Sequence, residues 1–580
     1  MRRWRNMLRF LARLKAAVWR IVTHAQPGNN KNHSVAPRTP GVSRKKRPKT
    51  SGGTARHVSP RMPAAESNRK MSLLVYAAEI LLLFAVIALV VRFIPDFSKK
   101  GAGESTYESS EEQTKEKENP KESSAAQDAS KPDEDSGGDA ALDGAKIQKA
   151  KRPSRPVTEE SEPAEEEKPY VPPTMIVASD LHYQSPKMTD FRESLDTYTE
   201  WNDGTVVPYL DVIADAFLEE VMMKKPSVLI LSGDISQNGE KVNHQELAKK
   251  LKQVQDAGIP VLVIPGNHDI NNPSAAVYSG MDRYPAEPTT PADFVSIYSE
   301  FGYSEANSRD IHSLSYTYDL GPSMRLLMLD TCQYEPRNRV GGMIKTETYE
   351  WIDKELKAAD EDGVILLPVA HHNLLEESKV YVDDCTIEHS EELIQKLEGE
   401  NIPLFLSGHL HVQHFMRNNS FGIHEIVTSS LSTPPCQYGV LEYMEDESFS
   451  YHTRQVDMEK WARRHRSKDE NLLNFNTYSP PILNRIFYNQ AYDAMKDSAE
   501  EETGSLFVKL SETQKQQMSK VYADINAACY AGRAYEVVEE AVKQPGYGMW
   551  QEYCYPAILY EYLEYIVEDA VKDYNSLSAG

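Results

Sequence analysis

Val261-Leu-Val-Ile-Pro-Gly-Asn-His-Asp269 sets four consecutive apolar residues, three of them β-branched, against a glycine, an asparagine, a histidine and an aspartate. A short unbroken apolar run of this kind reads as a strand covered on both faces, with the polar cluster in the turn that ends it. The same pattern recurs on either side. Met175-Ile-Val-Ala178 leads to Asp180-Leu-His182, and Val228-Leu-Ile-Leu231 to Gly233-Asp234. Val364-Ile-Leu-Leu367 leads to His371-His372, and Leu404-Phe-Leu406 to Gly408-His-Leu-His411. Between these runs, residues 208–224, 240–257, 346–359 and 388–397 carry the apolar spacing of helices packed on a sheet. The expectation is an α/β fold with its site where strands end.

The collected side chains point to metal chemistry. Asp180, His182, Asp234, Asn267, His371, His409 and His411 are too many donors for one tetrahedral zinc. Imidazoles mixed with carboxylates, and no cysteine, suit first-row ions such as Mn, Fe or Zn. Two ions close together need a shared anionic ligand, and Asp234, alone after its strand, is the natural bridge. Gly233 and Gly266 fit where backbone must pass close to ions, and Gly408 fits a tight turn into His409.

In composition and order these blocks resemble the calcineurin-like metallophosphoesterase superfamily, whose pattern is D-x-H, G-D, G-N-H-D/E, H and G-H-x-H. They cover residues 173–454, about half the chain. The resemblance implies a β-sandwich flanked by helices and two divalent metal ions, Mn, Fe, Zn or a mixture. One ion would be held by Asp180, His182, Asp234 and His411, the other by Asp234, Asn267, His371 and His409. Family members bind through the histidine that ends the strand, which favours His371 over His372. By the same resemblance His268 is catalytic, contacting the scissile phosphate and protonating the leaving oxygen, and Asp269 orients it. The implied activity is hydrolysis of a phosphoester substrate by metal-activated hydroxide. A phosphodiesterase is the leading reading; a phosphomonoesterase or nucleotidase and a non-catalytic metal-binding scaffold are the alternatives. The stretch Gly233-Asp-Ile-Ser-Gln-Asn-Gly-Glu-Lys241, with His244 after it, is similar to a bacterial subgroup that includes cyclic-nucleotide phosphodiesterases with an extra C-terminal helical domain.

Other polar residues near strand ends read as structural. Asp330 follows Leu326-Leu-Met-Leu329 and imitates a ligand, but the family pattern has none there. His414 and His424 fall outside the blocks, and Arg337 and Arg339 read as a solvated loop.

Composition divides the chain of 580 residues and net charge −23. Residues 1–71 form a basic head, with Glu66 its one acidic residue, and residues 1–22 carry helical apolar spacing on a cationic face. Residues 73–91 are apolar except for Tyr76 and Glu79, so residues 72–94 read as a single uncleaved transmembrane helix. The basic head then stays in the cytoplasm and the catalytic domain is extracytoplasmic, at the cell membrane. Residues 95–172 are an acidic linker too poor in apolar residues to fold. Residues 173–460 carry the metal motifs, and residues 461–580 read as a helical domain, with helical spacing at 482–495, 513–530 and 535–542. Nucleic-acid binding is not expected, and the sequence is silent on oligomeric state. The five cysteines form no CxxC and read as free thiols, with a Cys529–Cys554 bridge conceivable.

Overall fold

The computed structural model describes residues 173–190, 204–400, 402–417, 422–501 and 510–577. From the amino end come β1 (Thr174–Ala178), a 3-10 turn (Val207–Tyr209) leading into α1 (Leu210–Lys224), β2 (Val228–Ser232), α2 (Lys241–Asp256) and β3 (Val261–Ile264). The hairpin β4 (Ala276–Ser279) and β5 (Asp282–Pro285) follows, then α3 (Pro291–Ile297), β6 (Ser308–Arg309), β7 (Tyr316–Asp319) and β8 (Met324–Met328). Next come α4 (Thr346–Asp362), β9 (Ile365–Val369), α5 (Ser390–Gly399), β10 (Leu404–Ser407), β11 (His414–Arg417), β12 (His424–Val427), β13 (Gln437–Tyr443) and β14 (Phe449–Gln455).

Two sheets result. One runs β15-β14-β13-β1-β2-β3, where β15 is a short strand at Ser576–Leu577; the other runs β11-β12-β10-β9-β8-β7-β6. The strands that precede site residues are parallel within each sheet: β1, β2 and β3 in the first, β9 and β10 in the second. Their carboxyl ends therefore meet at one end of the sandwich.

Alternation along the strands explains the layering. Leu326 of β8, Leu367 of β9 and Leu406 of β10 share a core with Val177, Ile230 and Val263 of the facing sheet. Their neighbours Leu327, Leu366 and Phe405 turn outward onto Ile352 and Leu356 of α4 and Leu393 and Leu397 of α5. Both faces are apolar, so the strands read as continuous runs. Each such side chain contributes about 1.5–3 kcal/mol on burial.

The carboxyl-terminal helices are α6 (Met458–Arg464), α7 (Glu470–Leu473), α8 (Phe475–Tyr478), α9 (Pro480–Glu501), α10 (Glu512–Tyr530), α11 (Ala534–Ala541), α12 (Pro545–Tyr553) and α13 (Ala557–Asp569). Met458, Ala462, Leu472 and Phe475 of α6 to α8 are buried in the core of the sandwich. A separate core gathers Phe487 of α9, Tyr522 and Ile525 of α10, Trp550 of α12 and Leu563 and Ile566 of α13. Beyond α13, β15 pairs with β14 and ties the chain back to the first sheet.

Residues 270–323, a long stretch between β3 and β8, contain the hairpin, α3, β6 and β7. The hairpin turn is Ser279-Gly-Met-Asp282, a turn signal the apolar pattern did not bring out. Among the described residues no helix is long and apolar enough to cross a membrane. The expected transmembrane helix 72–94, the basic head and the whole acidic linker lie outside the described residues. All five cysteines are free, with Cys332, Cys436 and Cys529 buried.

Candidate metal centre

Tight turns after the parallel strands bring the motif residues together. Asp180, His182, Asp234, His409 and His411 all have positive φ, between 43° and 72°. Non-glycine residues seldom adopt this region, and such strain concentrates at functional sites.

Three clusters of donor atoms form, each with its members within 4.8 Å of one another: Asp180, His182 and His411; Asp180, Asp234 and His371; and His371, His372 and His409. His182 Nε2 lies 3.1 Å from His411 Nε2, and His411 Nε2 lies 3.3 Å from Asp180 Oδ1. His371 Nε2 lies 3.3 Å from Asp234 Oδ2 and 3.1 Å from Asn267 Oδ1. The sequence-expected donors thus converge in overlapping clusters, with Asp180 and His371 each common to two and His372 drawn into the third.

Several observations fit metal ions here. Among the described residues, buried Asp180 Oδ1 receives no hydrogen bond, His411 Nε2 standing 3.3 Å away, a costly state unless a cation meets it. The glycines leave no room for side chains. A Cβ on Gly266 would stand 2.2 Å from Asp234 Oδ1, one on Gly233 2.5 Å from His371 Nδ1, and one on Gly408 1.8 Å from Ser179 Oγ.

The imidazoles are also oriented as ligands are. His371 Nδ1–H donates to Ser232 O at 2.9 Å, leaving Nε2 turned inward. His409 Nε2–H donates to Asp384 O at 2.8 Å, leaving Nδ1. His372 differs. Its two nitrogens bond Thr331 Oγ1 and Val340 O, both at 2.8 Å.

Electrostatics divides the site. Burial pushes the His182 imidazole down to about 3 and that of His409 to about 4, with neighbouring imidazolium charge adding to it. Both are therefore neutral, as ligands must be. Burial opposes charge on His371 as well, but the Asp234 carboxylate outweighs it and carries His371 up to about 9. Asp234 itself is held well below the usual carboxylate range: burial works to raise it, and the charges of His371 and His268 prevail. The Asp234 charge that favours a proton on His371 would favour a cation in its place.

His268 stands beside this cluster, its ring edge-on to His182 with centroids 5.0 Å apart. Its amide donates to Asp234 Oδ1 at 2.7 Å, and its Nδ1–H donates to Gln237 O at 2.9 Å. The expectation that Asp269 orients this ring is corrected. Asp269 accepts instead from the amides of Gly266, Ile235 and Ser236 and from Ser236 Oγ, at 2.8–3.1 Å. It ties the turn after β2 to the turn after β3, and burial, with the Asp234 charge, pushes its carboxyl up to about 7.

Gln237 is the orienting partner that sequence reading missed. It acts through its backbone carbonyl, which leaves no trace in residue type. His244 belongs to the same buried support, with Nε2 2.9 Å from Ser236 Oγ and Nδ1 2.9 Å from Tyr298 Oη.

The remaining residues behave structurally. Asp330 accepts from the amides of Leu314 and Cys332 and from Tyr334 Oη. His414 meets Asp569 at 2.8 Å, and His424 is buried. Arg337 and Arg339 are exposed, and Asn338 between them donates to the carbonyls of Asn267 and Ile270, at 2.6 and 2.9 Å.

Residues 173–413 match the family model of calcineurin-like phosphoesterases, and residues 457–573 match that of the C-terminal domain of cyclic nucleotide phosphodiesterase. A probable cyclic nucleotide phosphodiesterase of Synechococcus sp. is 24% identical over 199 residues, 34% of this chain and 63% of that protein. One of Psychrobacter arcticus is 22% identical over 252 residues, 43% of this chain and 77% of that protein. Among solved structures, a dimetal phosphatase from Danio rerio aligns over 49% of this chain and 95% of its own, at 15% identity and a TM-score of 0.36.

Proposed function

We propose that the chain, whose residues 173–413 match the calcineurin-like phosphoesterase model, is a binuclear-metal phosphoesterase acting on phosphodiesters. The observation that carries this reading is the convergence of Asp180, His182, Asp234, Asn267, His371, His409 and His411, with His268 held beside them by Gln237. When bound, two divalent ions supply Lewis acidity and a nucleophile of lowered pKa.

The chain's own residues do the rest. Asp180, His182, Asp234 and His411 would hold one ion, and Asp234, Asn267, His371 and His409 the other. Asp234 serves both groups, since a carboxylate has lone pairs beyond the one that receives the His268 amide. His268, anchored at Nδ1, directs Nε2 at the phosphate, where it stabilises developing charge and delivers a proton to the leaving oxygen. Asp269 acts by joining the two turns that carry Asp234 and His268.

The diesterase reading draws support from the C-terminal domain match and from the names of the relatives; a phosphomonoesterase or nucleotidase is the alternative. The Synechococcus relative is matched over less than two thirds of its length. Within the same reading the segment 72–94 anchors the chain in the cell membrane with its catalytic domain outside, on the strength of its apolar length and the basic residues before it.

The test is turnover by the full-length chain, in detergent and with Mn²⁺, on cyclic nucleotides, nucleotides, glycerophosphodiesters and bis-p-nitrophenyl phosphate. Hydrolysis of diesters over monoesters is expected. Preference for monoesters would transfer the reading to the alternative, and no metal-dependent hydrolysis would leave the scaffold.

A further inference from the structure

Residues 408–414 alternate between two neighbours. His409 and His411 belong to the donor clusters, whereas Leu410 and Val412 pack into the core of the helical domain. The Gln413 amide donates to Tyr530 O at the end of α10, at 3.1 Å. His414 Nε2 meets Asp569 Oδ2 of α13 at 2.8 Å, and the same carboxylate accepts from Tyr574 Oη at 2.6 Å. One stretch of chain is therefore gripped by the metal centre on one side and by helices on the other.

A second link runs through the loop 374–386. Its start is fixed by Glu425 of β12, whose carboxylate accepts from the amides of Leu374 and Leu375 at 2.9 and 2.7 Å. Its neck closes where the Ile387 amide donates to Asn373 O at 2.9 Å. Between these points Tyr381 packs edge-on against Tyr562, with ring centroids 4.8 Å apart, and Tyr565 Oη donates to Glu377 O. The loop then presents Asp384 O to His409 Nε2–H, the contact that leaves His409 Nδ1 for a metal. Tyr562, Tyr565 and Asp569 lie at i, i+3 and i+7, on one face of α13.

We propose that the helical domain is a working part of the metal centre. Tyr565 and Asp569 are positioning residues that set His409 and His411 through the 374–386 loop and through His414, so that metal binding and seating of α13 are coupled. This rests on the two-metal reading above. Coupling of this kind is reciprocal: whatever seats the helix tightens the ion, and the ion steadies the helix.

Titration of the metal-free full-length chain with Mn²⁺ tests it. Wild type should bind two ions, with the magnetic-resonance signal of a coupled Mn²⁺ pair, and ion binding should slow amide exchange in α13. Tyr565→Phe removes one hydroxyl and should weaken the second Mn²⁺ about tenfold, the lower end for loss of support to a ligand. It should also diminish the coupled signal and uncouple α13 exchange from metal. Tyr438→Phe removes a hydroxyl bonded to Glu220 of α1 at 3.0 Å, on neither the loop nor α13, and should leave Mn²⁺ affinity unchanged.

Wild-type Mn²⁺ affinity in Tyr565→Phe, or an equal loss in Tyr438→Phe, overturns the coupling while the metal reading stands. So does α13 exchange in the wild type that ignores Mn²⁺, a measurement that needs no variant. A wild type that binds no Mn²⁺ overturns both.

Discussion

Gly266→Ala measures how closely the site depends on backbone approaching carboxylate. Gly266 is not among the positive-φ glycines, so alanine suits its backbone and the residue is there for space. The added Cβ would stand 2.1 Å from the Asp234 amide nitrogen and 2.2 Å from Asp234 Oδ1, where ordinary contact begins at 3.4 Å. The carboxylate must therefore retreat by about an ångström, which also breaks its 2.7 Å bond from the His268 amide. A misplacement of about 1 Å in a reacting constellation costs about 10²-fold in rate, or roughly 2.7 kcal/mol of barrier. The assay is kcat on bis-p-nitrophenyl phosphate at saturating Mn²⁺, with bound metal and thermal midpoint measured on the same sample. Gly399→Ala, where a Cβ meets nothing within 4 Å, is the control for helix stability. Two ions per chain and near-normal kcat in Gly266→Ala would show that the carboxylate has freedom the packing denies it, and would refute the bridging role of Asp234.

His371→Ala should lower metal content, whereas His372→Ala, which loses bonds to Thr331 and Val340, should keep both ions and lower the thermal midpoint; the reverse pattern in metal analysis moves the ligand role to His372. His268→Ala should keep both ions yet reduce kcat by roughly 10²–10⁴-fold, with a smaller loss for nitrophenyl esters than for alkyl esters; equal losses mean that the ring only positions phosphate. Burial pushes the His424 imidazole from 6.5 down to about 4, with the charges of Arg417 and Lys572 adding to it. The unfolded chain then binds the extra proton between those values, so stability is complete above pH 6.5 and falls as pH drops toward 4. His424→Leu should flatten part of that slope in denaturant melts, and an unchanged slope refutes the assignment. Protease added to intact cells should release an active fragment cut between residues 99 and 170; release only after lysis reverses the orientation.

The sandwich was legible because parallel strands buried on both faces must be apolar throughout, and because each one that matters stops at a residue with no other reason to be there. Asp180, Asp234 and His409 could be read as donors from type and order alone. Smaller features had weaker signals. The hairpin at Ala276–Ser279 and Asp282–Pro285 has an exposed second strand without apolar alternation. The strand Ser576–Leu577 is two residues long. The helices Pro545–Tyr553 and Ala557–Asp569 lie in a tyrosine-rich stretch whose apolar spacing is irregular, and packing on α10 settles them.

The site divides along a similar line. Sequence names the atoms that face an ion, since few side chains can; it does not name what holds those atoms, since a carbonyl does that as well as any side chain. Ser232, Gln237 and Asp384 each fix an imidazole through backbone oxygen, and a substitution at any of the three keeps the acceptor. This explains why Asp269, the nearest carboxylate in sequence to His268, invited the wrong assignment. A buried acid with four donors already on it has little left to offer a neighbouring ring, and its value lies in locking two turns. Five donors held at positive φ need such locks, because each left-handed turn costs about 1–3 kcal/mol and mutual repulsion of the bare acids adds to that. Burial of α1, α2, α4 and α5 on the sheets and the grip of α10 and α13 on residues 410–414 offset this cost, so the seven candidate donors are placed by the whole packing around them.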